Sequence, residues 1–377
     1  MADVFRLYGE AFRHAHPLPS SHLKVMRAIL ACRTAALGGH LQRCDSCGFA
    51  RNAYNSCRNR HCPKCQALAK ARWLAAREAE LLPVKYFHAV FTLPHQLNAL
   101  ALANKKIVFD ILFRSVSETL LAFAAQELSG KLGFTSILHT WDQKLGAHIH
   151  LHCAIPAGAL SFDRKSWNAS HPAFLFPVKA LSRMFRGKFL DALKSSHAKG
   201  RLRVADERAF QSLLSSLYDT DWVVYSKAAF AGPKAVLDYF GRYTHRIDIS
   251  NHRLLNVSDG HVTFTYRDRK DDNKLKVMTL SADEFIRRFL LHTVPASFMR
   301  IRHFGFLANR SKKNDLARCR ELLGAPHQPS EPEEKVTQDL LRDLIGVDLG
   351  KCPACQNGRL LVAEDILKEP LPFWNSS

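Results

Sequence analysis

The chain has 377 residues, 47% of them hydrophobic, and 54 Lys and Arg against 34 Asp and Glu leave a formal net charge of +20. That apolar content excludes a disordered chain and the length allows two or three domains, while the absence of any uncharged apolar run of about eighteen residues excludes a membrane-spanning helix. The basic surplus draws a polyanion to the surface and points to nucleic acid.

Residues 1 to about 38 read as helical, with Val25, Ile29 and Leu30 on an apolar face, a start after Pro19-Ser20-Ser21 and a stop at Gly38-Gly39. Met1 to Leu18 carries Asp3, Glu10 and several basic residues where a secretory signal needs an apolar stretch, so a cytoplasmic, nucleoid-associated protein is expected. Cysteines then crowd residues 44 to 65. A helix follows from Gln66 to about Leu82, where Pro83 interrupts it, closing a first module at residues 1–82.

Strands and helices mix in a second domain, residues 83–322. Tyr86 to Leu93 reads as a strand, Leu97 to Glu127 as a long helix, and Thr135 to Trp141 pairs with His148 to Ile155 as a hairpin across Lys144 to Ala147. Further helices are expected over Ser182 to Leu193 and Asp206 to Leu217, a strand over Trp222 to Tyr225, and a helix opening at Gly232-Pro233, where proline suits the first turn. His261 to Arg267 alternates with Val262, Phe264 and Tyr266 on one face, and Ser281 to His292 is helical. Residues 323–377 form a linker, rich in Pro, Glu, Gln and Ser, and a tail carrying Cys352-Pro-Ala-Cys355.

Ten cysteines in a reducing compartment are metal ligands or buried thiols rather than disulfides. Cys44-x2-Cys47 and Cys62-x2-Cys65, fourteen residues apart, have the spacing of two tight turns that give four thiolates to one structural zinc. Cys32, His40, Cys57 and His61 could furnish a second site or alternative ligands. Arg58, Arg60 and Lys64 make the module a DNA-binding surface. Cys352 and Cys355 supply only two thiolates, too few to close a tetrahedral site alone.

Between His139 and His152 there are four histidines in fourteen residues. Alternate side chains of a strand share a face, so His150 and His152 offer two nitrogens to one divalent metal, and a site completed by phosphate and water suits Mg²⁺ or Mn²⁺. The neighbouring strand supplies the third ligand, His139 first, with Gln143, Asp142 and His148 behind it. Some ninety residues on, Tyr239 and Tyr243 lie four apart on the expected helix, one face of which they share, with Arg242, His245 and Arg246 interleaved to bind phosphate. A phenol beside a metal-polarised phosphate can cut one strand and keep the end as an ester.

These motifs, in order, resemble a known family. Phe91-Thr-Leu93, His150-Leu-His152 and Tyr239-x3-Tyr243 are similar to the motif set of the His-hydrophobe-His endonucleases. With Cys32 to His40, Tyr54 to Gln66, Gly241 to Arg246 and Arg300 to Asn309 added, the chain is identified as a member of the rolling-circle transposases of the insertion sequence ninety-one family. The resemblance implies an α+β fold: an antiparallel ferredoxin-like or RNA-recognition-type sheet behind a zinc-binding module. It also implies a tyrosine that attacks DNA at single-stranded or hairpin element ends, leaving a 5′-phosphotyrosine and a free 3′-hydroxyl. A plasmid replication initiator or relaxase would share the sheet, metal and tyrosine, and a non-catalytic zinc-binding DNA regulator would leave the histidines and tyrosines structural.

Overall fold

Two helices, not one, open the chain: α1 (Ala2–Ala15) and α2 (Ser20–Ala31). Pro17 and Pro19 separate them, because a proline disfavours helical backbone in the residue before it, and His16 is extended. The structure, a computed structural model, describes residues 1–228, 248–325 and 348–369, with positions 235, 241, 339, 342 and 346 besides. β1 (Gly39–Cys44) and β2 (Ala50–Tyr54) form a hairpin that the sequence pattern did not announce, since His-Leu-Gln-Arg has neither β-branched residues nor a clean apolar alternation. α3 (Gln66–Glu78) ends before Leu82.

The central sheet comes next. β3 (Tyr86–Thr92) leads through α4 (Asn98–Ala103) and α5 (Lys105–Glu127) to β4 (Gly130–Lys131), β5 (Gly133–Trp141) and β6 (Ala147–Pro156). Two short strands, β7 (Gly158–Ser161) and β8 (Trp167–Ala169), precede α6 (Val178–Ala198), α7 (Glu207–Asp219) and β9 (Val224–Ala228). Asp206 caps α7 by accepting from the backbone N–H groups of Arg208 and Ala209, at 2.8 and 3.2 Å.

The chain continues through β10 (Leu254–Ser258), β11 (His261–Asp268), β12 (Lys274–Ser281), α8 (Ala282–Leu291), β13 (Ile301–Gly305), α9 (Lys312–Leu322) and β14 (Leu360–Ile366). Five strands in the order β13-β5-β6-β3-β9, each antiparallel to its neighbours, make the main sheet of this α+β fold.

The two faces of that sheet divide the labour. Phe87, Ala89 and Phe91 of β3, Leu138 of β5 and Leu151, Cys153 and Ile155 of β6 point one way, into a core built with α5, α6 and α7. Phe185 of α6 is fully buried there, edge-on to Phe91 at 5.3 Å and to Trp222 at 5.1 Å. Truncating such a phenylalanine to alanine costs about 3–5 kcal/mol. Alternation sends the partners of these residues to the opposite face, where α3 covers one end through Trp73, packed on the cluster of Tyr86 and Ile137.

The N-terminal helices rest on the far part of the chain: Val4, Phe5, Met26 and Ile29 share a cluster with Val262, Phe264, Phe285 and Phe289. Val262, Phe264 and Tyr266 are all buried, as their alternation predicts. Ser281 caps α8 by accepting from Glu284 N at 3.3 Å. The tail, for which the sequence announced no strand, contributes β14, which pairs antiparallel with β1 and gives the order β14-β1-β2. Most of the expected linker, residues 326–338, lies outside the described residues. Among the described residues no helix is long and apolar enough to cross a membrane.

Candidate metal centre and nucleic-acid surface

The hairpin register builds the histidine site. His139 on β5 faces His150 on β6, and Thr92 on β3 pairs with His150 from the other side, so these residues share the face away from the helical core. One ring nitrogen from each of His139, His150 and His152 lies within 4.8 Å of the others. All three residues are buried, at 4%, 7% and 5% exposure.

Contacts at one nitrogen of each ring orient the other. His150 Nδ1 donates to the carbonyl of His148 at 2.9 Å, leaving its Nε2 lone pair for another partner. His152 Nδ1 lies 2.9 Å from His88 Nε2, which leaves the His152 Nε2 turned toward that of His150. The two Nε2 atoms then stand 3.0 Å apart. Two lone pairs at that distance repel unless a proton or a cation lies between them; two nitrogens about 2.1 Å from one ion at a right angle are about 3.0 Å apart. Burial pushes His150 and His152 well below the ordinary histidine range, so both are neutral donors, and the donor set fits a divalent metal.

The remaining residues ranked for the third ligand differ in position. Asp142 folds the hairpin turn, its Oδ1 accepting from Lys144 N at 2.8 Å and Gly146 N at 2.7 Å. His148 stands at the rim, its ring 4.6 Å from that of His150, and burial lowers its pKa too. His139 stacks on Trp141 with ring centroids 4.9 Å apart.

A cleft of about 530 Å³ opens over the three histidines, and Arg267 at the end of β11 and Arg269 and Lys270 of the turn that follows line its other wall. Neither these cations nor His88 were foreseen. The Arg267-Asp-Arg-Lys270 run was a visible signal, but nothing local said that its turn would face the histidines. His88 was readable in principle, since β3 alternates and places it on the same face as Thr92.

Tyr239, Tyr243, Arg242, His245 and Arg246 lie outside the described residues. Gly241 is described: a Cβ added there would stand 2.9 Å from Leu74 and 3.0 Å from Lys70, both of α3.

The cysteines regroup. The expected set of Cys44, Cys47, Cys62 and Cys65 is divided between two clusters: Cys32, Cys57, Cys62 and Cys65 form one, and Cys44, Cys47, Cys352 and Cys355 the other. The spacing of the two pairs was right for turns but silent on which turns meet. In the first cluster Cys32 and Cys57 Sγ lie 3.4 and 3.6 Å from Cys65 Sγ. Zinc–thiolate bonds of about 2.3 Å in a tetrahedron put sulfurs about 3.8 Å apart, so this closed four-thiol set fits structural zinc. His40 and His61 belong to neither cluster: His40 Nδ1 meets Asp365 at 2.8 Å, and His61 stands 4.0 Å from buried Asp248.

Arg58 and Arg60 line a second cleft, of about 620 Å³, together with Arg72 and Arg300. Arg60 also donates to the carbonyl of Phe298 at 2.5 Å, tying the cysteine module to the loop before β13. Lys64 is exposed.

Comparison with known proteins reaches the same parts of the chain. A family model described as "Putative transposase" matches residues 133–315, and one described as "Transposase zinc-binding domain" matches residues 4–93. The chain is 48% identical to "Putative transposase y4qJ" of Sinorhizobium fredii, over all of this chain and 98% of that protein. It is 27% identical to the transposase for insertion sequence element IS801 of Pseudomonas savastanoi pv. phaseolicola, over 88% of this chain and 81% of that one. No solved structure matches.

Proposed function

The chain belongs to the transposases of the insertion sequence ninety-one family, and on that footing we propose that it nicks single DNA strands at the ends of its element by tyrosine transesterification and mobilises the element by rolling-circle transposition. The observation that carries this reading is the pair of facing His150 and His152 Nε2 atoms, 3.0 Å apart, with the other nitrogen of each ring held by a neighbour. A Mg²⁺ or Mn²⁺ ion held by His150, His152 and His139 would polarise the scissile phosphate.

In the proposed reaction the hydroxyl of Tyr239 or Tyr243 attacks phosphorus. A Tyr O–P bond forms, the P–O3′ bond breaks, and the phenolic proton ends on the departing 3′ oxygen. The 5′-phosphotyrosine conserves the phosphodiester energy for later joining, which attack by water would lose. Three further features support the assignment. Gly241, two residues from each tyrosine, packs on α3, and α3 packs on the histidine face of the sheet. Arg267, Arg269 and Lys270 border the cleft where a phosphate would lie, and Arg242, His245 and Arg246 are proposed as further phosphate contacts. Arg58, Arg60 and Lys64 of the zinc-binding module supply positive charge for the flanking strand.

The test is a nicking assay on labelled single-stranded oligonucleotides carrying the element ends, with Mg²⁺ or Mn²⁺. Wild type should give a covalent protein–DNA adduct that disappears in Tyr239→Phe/Tyr243→Phe and in His150→Ala. If wild type binds the DNA yet forms no adduct, while a control nickase acts on its own substrate, the protein is a DNA-binding module and the transesterase reading fails.

A further inference from the structure

The second thiol cluster draws on both ends of the chain. We infer that Cys44, Cys47, Cys352 and Cys355 bind a zinc ion that clamps the C-terminal strand β14 to the N-terminal β1–β2 hairpin, so that a zinc ribbon is assembled from two segments some three hundred residues apart. The inference is independent of the transesterase reading. Sγ atoms meet across the two segments at 3.7 Å, Cys44 with Cys355 and Cys47 with Cys352, close to the separation of about 3.8 Å that a tetrahedral zinc requires.

More telling is the backbone, which makes the same turn twice. In one segment Gly48 N donates to Cys44 O at 3.2 Å, with Gly48 at φ 75°. In the other, Gln356 N donates to Cys352 O at 3.1 Å, with Gln356 at φ 62°. A non-glycine residue in the left-handed region is uncommon and persists where the surroundings require it. Each turn also aims an amide at sulfur: Ser46 N lies 3.4 Å from Cys44 Sγ, and Gly358 N 3.3 Å from Cys355 Sγ. Such N–H groups offset the charge of four thiolates on one ion.

The two turns are fitted together. Asp45 Oδ1 accepts from Arg359 N at 2.8 Å, and Asp45 N donates to Arg359 O at 3.1 Å. A Cβ at Gly358 would collide with Cys44 Sγ, Asp45 Oδ1 and Ser46 Oγ, so only glycine lets the second turn close on the first. The register of β14 on β1 runs from Gly39 opposite Ile366 to Cys44 opposite Leu360 and delivers the two turns side by side.

The experiment uses the zinc-loaded full chain. Zinc released by titrating the thiols with a mercurial should come to two ions per chain in wild type and one in Cys352→Ser/Cys355→Ser. Because that variant could misfold, alkylation of wild type is followed in parallel by mass spectrometry. Cys47 is exposed, yet it and Cys355 should resist iodoacetamide until zinc is chelated, then react at least tenfold faster. One thiol-held zinc per chain, alkylation rates at Cys47 and Cys355 that ignore chelation, or a disulfide within this set in freshly purified protein would each overturn the inference.

Discussion

The histidine site and the thiol clusters bring together side chains that could hold a metal ion by opposite means. The histidines come from adjacent strands of one hairpin, on a sheet whose other face is a packed aromatic core. Their positions are fixed by pairing and need no metal. The thiols come from turns and helix ends: Cys32 closes α2, Cys65 precedes α3, and Cys352 lies 305 residues from Cys47. Strand pairing and apolar packing join those segments across long stretches of chain, and a metal bound by the thiols would add its binding free energy to that of folding. His150→Ala should therefore abolish adduct formation, a loss of about 10³-fold or more, with zinc content unchanged and the thermal unfolding midpoint within a few degrees of wild type. Cys62→Ser should do the reverse in kind: one zinc lost, and a lower unfolding midpoint read by calorimetry. If both variants unfold alike, the contrast between a preformed site and a metal-built one is wrong.

That contrast also explains what could be read from the sequence. β5, β6, β11 and α8 were legible because period-two and period-3.6 alternation is a local property, and the His139–His152 hairpin needed only a turn and a register. The pairing of Cys44 and Cys47 with Cys352 and Cys355 was not legible, since a Cys-x2-Cys spacing specifies a turn and leaves its partner open. β14 escaped for a related reason: an exposed strand, buried only at Leu360 and half-buried at Ile366, carries weak alternation. His88 and the Arg267–Lys270 turn reach the site through sheet order and hairpin packing, which no window of sequence contains.

His88 sharpens the comparison within the histidine site itself. Its Nε2 lies 2.9 Å from His152 Nδ1, so in the proposed metal centre it would be a positioning residue that orients the ring of a ligand. His88→Ala should raise the Mn²⁺ concentration needed for half-maximal nicking by about 10–100-fold. Activity should return at high Mn²⁺, a rescue that a folding defect would not permit. His88→Gln, whose amide can still meet Nδ1, should recover part of the affinity at ordinary Mn²⁺. Equal failure of both variants at every Mn²⁺ concentration would remove His88 from the metal centre.

The smallest expected effect concerns Asp248, where the N-terminal module meets the rest of the chain. It is 2% exposed, both its carboxylate oxygens lack a hydrogen-bond partner among the described residues, and His61 of the cysteine module stands 4.0 Å away. Burial pushes its pKa up to about 7, against the opposing pull of Arg300 and Lys105. A carboxyl whose folded pKa exceeds its unfolded value of about 3.9 holds its proton more tightly when folded. The stability this brings is complete at low pH and declines as pH rises from about 4 through about 7. Asp248→Asn keeps the shape and removes the ionisation, so the variant should be more stable than wild type at pH 8 by about 1–2 kcal/mol, with a smaller gap at pH 6, both measured by thermal unfolding of the zinc-loaded chain. A gap that stays constant between the two pH values would mean that Asp248 is ionised and paired throughout, and that the contact with His61 strengthens the junction instead of weakening it at high pH.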